Sequence, residues 1–160
     1  MTYDITRHEV PDMTIVSVRE RHALAEMQEF FGRAWGELYG YLARLGATPV
    51  GEPFALYHEF GPDGVDIEAC VWYVGDVPSA DTIVARVLPA ATVAETIHVG
   101  PYDDLPKAYE ALTGWITQHG LEPVGPVRET YLNEPGPDVP PSTYRTRIEM
   151  PIAEAAVLVR

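Results

Sequence analysis

Two stretches of this chain carry the same punctuation in the same order. Gly46-Ala47-Thr48-Pro49-Val50-Gly51 is followed six residues later by Tyr57, and Gly120-Leu121-Glu122-Pro123-Val124-Gly125 is followed six residues later by Tyr131. Trp35 and Tyr109 stand at equal distances before the first glycine of each stretch, and Gly61-Pro62-Asp63 matches Gly136-Pro137-Asp138 after one extra residue. Any one of these matches could be chance. Their shared order and spacing argue for a duplicated unit, and a period this long with two copies means fused halves rather than a solenoid. A chain of 160 residues supports one full core and not two, so the halves, about 3–75 and 82–152, are expected to share a single domain spanning 1–160.

Within each half the apolar spacing changes period. The first half offers a β-branched run at 13–18, then a helical pattern from about Ala23 to Leu45, with Met27, Phe30, Phe31, Ala34, Leu38, Leu42 and Leu45 three or four residues apart. Gly46 and Pro49 stop the helix. Strands Phe54–Phe60 and Asp66–Val74 follow, joined as a hairpin by Gly61-Pro62-Asp63-Gly64. The second half reads as strands 83–88 and 92–99, a helix from about Leu105 to His119 striped by Leu105, Ala108, Leu112 and Ile116, and strands Val127–Leu132 and Tyr144–Met150. These last two flank a proline-rich loop, Pro135–Ser142, that cannot support a ladder. The expected fold is α+β: tandem βαββ units forming one antiparallel sheet, two long helices on one face, and a ligand cleft between them.

Composition narrows the function mainly by exclusion. Acidic residues number 24 against 11 lysines and arginines, for a formal net charge of −13, and no basic cluster offers a nucleic acid a landing place. No apolar run reaches membrane-spanning length, and the first residues, MTYDITRHEV, lack the apolar stretch of a secretion signal, so a cytoplasmic location is expected. Cys70 is the sole cysteine, so it forms no internal disulfide and reads as a buried structural thiol. His8, His22, His58, His98 and His119 are dispersed, with no two at metal-ligand spacing on one helix. Neither metal nor cofactor is expected. His98 reads as a packing or capping residue ahead of the second helix.

Aromatic residues crowd the elements expected to border the cleft. Trp35, Tyr39 and Tyr41 lie on the first helix, Tyr109 and Trp115 on the second, Tyr57, Trp72 and Tyr131 on strands, and Tyr102 in the turn before the second helix. Core filling explains any one of them; together they are compatible with a cage for an organic cation. Glu129 is harder to place. It shares a strand face with Val127 and Tyr131, and the repeat aligns it with Ala55, so an inward face would bury a carboxylate that needs donors, a shifted pKa or a cationic guest. Periodicity alone leaves open the alternative that Arg128 and Thr130 face inward and Glu129 is solvated.

The second half resembles a known family. His98-x-Gly100-Pro101-Tyr102, Ala108-Tyr109, Leu112 and Trp115, Gly120-Leu121-x-Pro123-x-Gly125-Pro126, and Arg128-Glu129-x-Tyr131-Leu132-Asn133-x-Pro135 are similar to the GyrI-like (gyrase-inhibitor-like) effector-binding domain. That domain also forms the ligand-sensing part of multidrug-responsive activators of the MerR and AraC types. The resemblance implies a duplicated fold with a central glutamate, here Glu129, in an aromatic cleft, and carries Tyr131 and Tyr102 over with it. Trp35, Tyr57, Trp72 and Trp115 join the ligand-binding set only as aromatics at plausible places. With the match starting almost at Met1, the chain resembles the stand-alone members rather than the activators. Three functions follow as expectations. One is binding of a lipophilic, often cationic, small molecule. Another is hydrolysis of reactive cyclopropane-bearing natural products, with Glu129 as base and Tyr131 as donor. The third is a protein partner, gyrase or a regulator, met by the acidic surface.

Overall fold

The computed structural model describes residues 2–133 and 137–155. Gly136 of the repeat, the start of the Pro135–Ser142 loop and the apolar tail beyond Ala155 lie outside the described residues. In chain order the elements are β1 (Thr6–Val10), β2 (Met13–His22), α1 (Met27–Arg44), β3 (Thr48–Gly61), β4 (Gly64–Val74), β5 (Val84–Leu88), β6 (Ala91–Val99), α2 (Leu105–Gln118), β7 (Leu121–Pro123), β8 (Val127–Tyr131) and β9 (Arg145–Glu154). Both helices end at glycines of positive φ, Gly46 at 72° and Gly120 at 68°, a backbone region that side-chain-bearing residues avoid. No helix among the described residues is long and apolar enough to cross a membrane.

All strand pairs are antiparallel, in the order β1-β6-β9-β8-β3-β4-β2-β5, with β7 adding to β9. Each half contributes one block, β2-β4-β3 or β6-β9-β8, and the blocks meet at β3 and β8. The expected α+β duplication is therefore present, with one leading strand added to each half and the short β7 added to the second. Residues 84–88 have a counterpart in β1, whose sequence TRHEV buries only Val10 and so gives no alternation to read. These two leading strands are exchanged: β1 pairs with β6 of the second half, and β5 pairs with β2 of the first.

That exchange dictates the curvature. Pro11-Asp12 alone joins β1 to β2, and Pro89-Ala90 alone joins β5 to β6, yet each pair lies six places apart in the sheet. In a flat sheet six steps cover about 29 Å, while a two-residue connector reaches at most about 11 Å. The sheet must curl until its edges approach. Asp12 Oδ1 accepts a 2.6 Å hydrogen bond from the backbone of Ala90, fastening one connector to the other.

The helices cover the convex face. Phe30, Ala34, Leu38 and Leu42 of α1 pack on Val16, Val18, Ile67, Ala69 and Val71; Ala108, Leu112 and Ile116 of α2 pack on Ala94, Ile148 and Ile152. Each large aliphatic side chain so buried contributes on the order of 2 kcal/mol. The concave face is buried with no helix over it, because the curl brings it against itself. Met13, Ile15, Phe54, Leu56 and Cys70 pack there with Trp72 and Leu88, and burial pushes the Cys70 thiol well up.

Charges also sit inside the curl. Glu68 accepts hydrogen bonds from Ser17 Oγ at 2.6 Å and from Arg86 Nη2 at 2.9 Å, and pairs with His58 Nε2 at 2.8 Å. At the matching place in the other half, His8 Nε2 lies 3.5 Å from Glu95 and 4.0 Å from Glu149. Sequence spacing gave no hint of this cluster, which the fold assembles from β1, β6 and β9. Its atoms are close enough for a metal, but Arg147 Nε stands 3.8 Å from Glu95 and 3.6 Å from Glu149, and Arg128 Nη1 4.0 Å from Glu149. Those guanidinium groups already balance the carboxylates, so the cluster reads as an ion network.

Candidate functional site

Alternation along β8 settles the facing of Glu129. Arg128 reaches Met13 Sδ on the concave side, whereas Val127 packs against the core beneath α2 and Tyr131 against that beneath α1. Glu129 therefore points under the helices and is 5% exposed. Arg128 and Thr130 point inward too, into the curl. The two sequence-level alternatives were not exclusive, since a curled sheet buries both its faces.

The register places this residue at a special point. On β3 and β8, Ala55 lies directly opposite Glu129 and Tyr57 opposite Val127. Ala55 and Glu129 are also the positions that the internal repeat equates, so the local twofold axis passes between them. Directly opposed positions hold their Cβ atoms about 5 Å apart. Two glutamates there would repel each other in a desolvated setting; one glutamate facing an alanine avoids the conflict.

Phenols surround the carboxylate. Tyr131 Oη donates to Glu129 Oε1 at 2.8 Å, and Tyr109 Oη donates to Oε2. The hydroxyls of Tyr57 and Tyr131 lie 2.8 Å apart. Among the described residues these tyrosines are its only partners, and no cation acts on it. Burial raises the Glu129 pKa, and hydrogen bonds from Tyr109, Tyr131 and Tyr57 pull it back only in part. The phenols titrate later than usual: burial, then Tyr144 and Glu129, push Tyr102 up to about 12, and burial with Glu129 raises Tyr109 well beyond its ordinary range. At neutral pH they are donors.

An aromatic layer covers this polar centre. Phe31 stacks on Trp35 at 4.5 Å and 9°; Trp35 and Tyr102 each meet Tyr131 edge-on, at 5.7 and 6.1 Å; and Tyr102 lies 5.0 Å from Tyr144. Phe31, Trp35, Tyr57, Tyr102, Tyr109 and Tyr131 are all partly exposed. The expected cleft is thus filled by rings in mutual contact. Open grooves lie elsewhere, one of about 490 Å³ beside Tyr3, His98 and Lys107 and one of about 270 Å³ between α1 and Ala80–Ile83. His98 is buried and doubly bonded, to Tyr3 Oη at 2.9 Å and to the Pro101 carbonyl at 3.0 Å.

Of the seven residues expected at the site, the fold gathers five: Glu129, Tyr131, Tyr57, Tyr102 and Trp35. Trp72 is not among them. On β4 its neighbours Val71 and Tyr73 face α1, so a period of two sends Trp72 to the concave face beside Phe54. Trp115 packs over the second core and stacks on His119 at 3.9 Å. Conversely, Tyr109, Phe31 and Tyr144 belong to the layer but were outside the expected ligand-binding set, although Tyr109 was counted among the aromatics bordering the cleft. Tyr109 was within reach, because the repeat equates it with Trp35.

Comparison with known proteins gives a family and a fold. A family model described as a GyrI-like small molecule binding domain matches residues 3–153. No curated protein matches the sequence. The C-terminal domain of EcmrR superposes with a TM-score of 0.84 at 24% identity, covering 97% of this chain and 100% of that one. In a complex of EcmrR with DNA, the chain spans 58% of the EcmrR chain, with 96% of its own length covered, at 24% identity and a TM-score of 0.82. SAV2435 bound to tetraphenylphosphonium matches at 18% identity and a TM-score of 0.63, over 96% of this chain and 94% of that one. A hydrolase from Listeria innocua matches at 14% identity and 0.70, over 93% and 91%. At these identities the structural likenesses establish the fold alone.

Proposed function

The chain belongs to the family of GyrI-like small molecule binding domains, and from that membership we propose that its ligands are lipophilic cations held over Glu129 by the surrounding rings. One observation carries this reading: a carboxylate 5% exposed whose described partners are phenols alone. A buried anion without a counter-charge is costly. A cationic guest supplies that charge, and each ring face turned to it adds about 0.5–2 kcal/mol. The partly buried rings of Phe31, Trp35, Tyr102 and Tyr131 would part to admit it, exchanging contacts with one another for contacts with the ligand. The tetraphenylphosphonium bound by SAV2435 is a cation of this type and supports the choice of probe.

Calorimetric titration with tetraphenylphosphonium tests the proposal. The wild-type protein is expected to bind, and Glu129→Gln, which keeps the shape and removes the charge, to bind at least about tenfold more weakly. Equal affinities would remove the carboxylate from the account.

A second reading draws on the same carboxylate. Its raised pKa suits a general base acting on water, with the single Tyr131 hydroxyl proton turning from Glu129 to negative charge developing on the substrate. Turnover of an electrophilic cyclopropane, absent in Glu129→Gln even where binding persists, would favour hydrolysis over simple holding.

A further inference from the structure

The two halves treat the axis unequally, and the inequality leaves a hydrogen-bond donor without a partner among the described residues. Tyr109 on α2 donates to Glu129 on β8. The internal repeat equates Tyr109 with Trp35 and Glu129 with Ala55, so the first half has the corresponding donor but, at the corresponding strand position, a methyl group that accepts nothing. Trp35 Nε1 is buried, with no hydrogen-bond partner among the described residues. Its neighbours are ring systems, Phe31 stacked at 4.5 Å and Tyr131 edge-on at 5.7 Å, and aromatic faces are weak acceptors. An indole N–H is a single donor with no other way to be satisfied, and leaving it unpaired in a desolvated setting is costly.

We propose that Trp35 is a specificity-determining residue that selects ligands bearing a neutral hydrogen-bond acceptor, such as a carbonyl or ether oxygen, in addition to the cationic centre. The inference rests on the proposed binding of lipophilic cations and deepens it. The cation sits toward β8 and α2, where the single carboxylate is. The acceptor sits toward α1, where the repeat supplies a donor and nothing to receive it. The ligand completes on the α1 side the pair that the protein completes for itself on the α2 side. Guests offering only hydrocarbon leave the Trp35 N–H orphaned. Those offering an oxygen there recover the cost. In a site whose other walls are rings and phenols, this buried, unpartnered N–H is a feature able to tell an oxygen from a methyl group.

Two isosteric cations provide the test: (4-acetylphenyl)triphenylphosphonium, with a ketone oxygen, and (4-isopropylphenyl)triphenylphosphonium, with a methyl group in its place. Both are titrated into wild-type protein and Trp35→Phe by calorimetry, with tetraphenylphosphonium as reference. The affinity ratio of ketone to isopropyl probe is expected to fall by about fivefold or more in Trp35→Phe, the loss of one neutral hydrogen bond. A ratio unchanged by the substitution overturns the proposal while the binding of cations stands. Failure of tetraphenylphosphonium to bind the wild-type protein brings down the proposed function and this inference together. A second measurement needs no folded variant. In wild-type protein the indole N–H resonance of Trp35 is expected to move downfield with the ketone probe and not with its isostere; identical responses to both also overturn the assignment.

Discussion

Glu68 and Glu129 are equally hidden, 4% and 5% exposed, and the fold resolves them in opposite ways. Burial alone would raise both pKa values. For Glu68, hydrogen bonds from Ser17, His58 and Arg86 outweigh it and hold the carboxyl below its usual range. For Glu129, hydrogen bonds from Tyr109, Tyr131 and Tyr57 do not, and the carboxyl stays above it. The first carboxylate is neutralised by the protein's own cation and ties β5 to β4 and β2. The second has strong donors and, among the described residues, no positive charge. A buried acid complete in itself is architecture; one complete except for a cation is the basis of the proposed binding function.

The comparison can be broken most directly by removing each charge in turn. Glu68→Gln leaves Arg86 and His58 without their anion and is expected to cost about 3 kcal/mol of stability, whereas Glu129→Gln relieves an unpaired buried charge and is expected to change stability by less than about 1 kcal/mol. Urea denaturation at pH 7.5 reads both, and equal losses would abolish the distinction. Next in size is the effect on binding. Tetraphenylphosphonium affinity is expected to fall about tenfold or more in Glu129→Gln and to stay within about twofold in Glu68→Gln where that variant folds; a reversal of this order would move the site to the concave face.

Acidity sharpens the same contrast. With a folded pKa above its unfolded value, Glu129 holds more protons in the native state. Its burial penalty is therefore absent below the unfolded value of about 4.5 and develops as pH rises through the folded pKa. Stability of the wild-type protein relative to Glu129→Gln should decline over that rise, and tetraphenylphosphonium affinity should grow over it. Glu68 runs the other way: its contribution is present above the unfolded value and is lost as pH falls through the depressed folded one. Parallel pH profiles for Glu129→Gln and wild type would contradict the raised pKa. The smallest effects belong to the tryptophans away from the cluster. Trp72→Phe and Trp115→Phe should each leave tetraphenylphosphonium affinity within about twofold while lowering stability by about 1 kcal/mol, and a larger loss of affinity would enlarge the site.

Much of this was legible in the chain. The repeated glycines marked both helix ends, the shared spacing announced two halves, and the family resemblance drew Glu129, whose facing periodicity left open, into the candidate site. What was not legible depends on strand order. β1 has no alternation because only Val10 is buried. Trp72 was assigned by residue type, although parity with Val71 and Tyr73 sends it to the opposite face. The Glu68 and Glu95–Glu149 clusters draw on three or four strands each, so no local spacing announces them. The curl itself follows from two short connectors, and only once their strands are known to lie far apart in the sheet.

The position of the axis carries a consequence for how such a site can exist at all. Two identical chains related by true twofold symmetry must place the same residue on both sides of their axis, and so offer either a pair of acids in conflict or none. Joining the copies in one polypeptide lifts that restriction. Ala55 and Glu129 are free to differ, and a lone negative charge can stand where symmetry would forbid it.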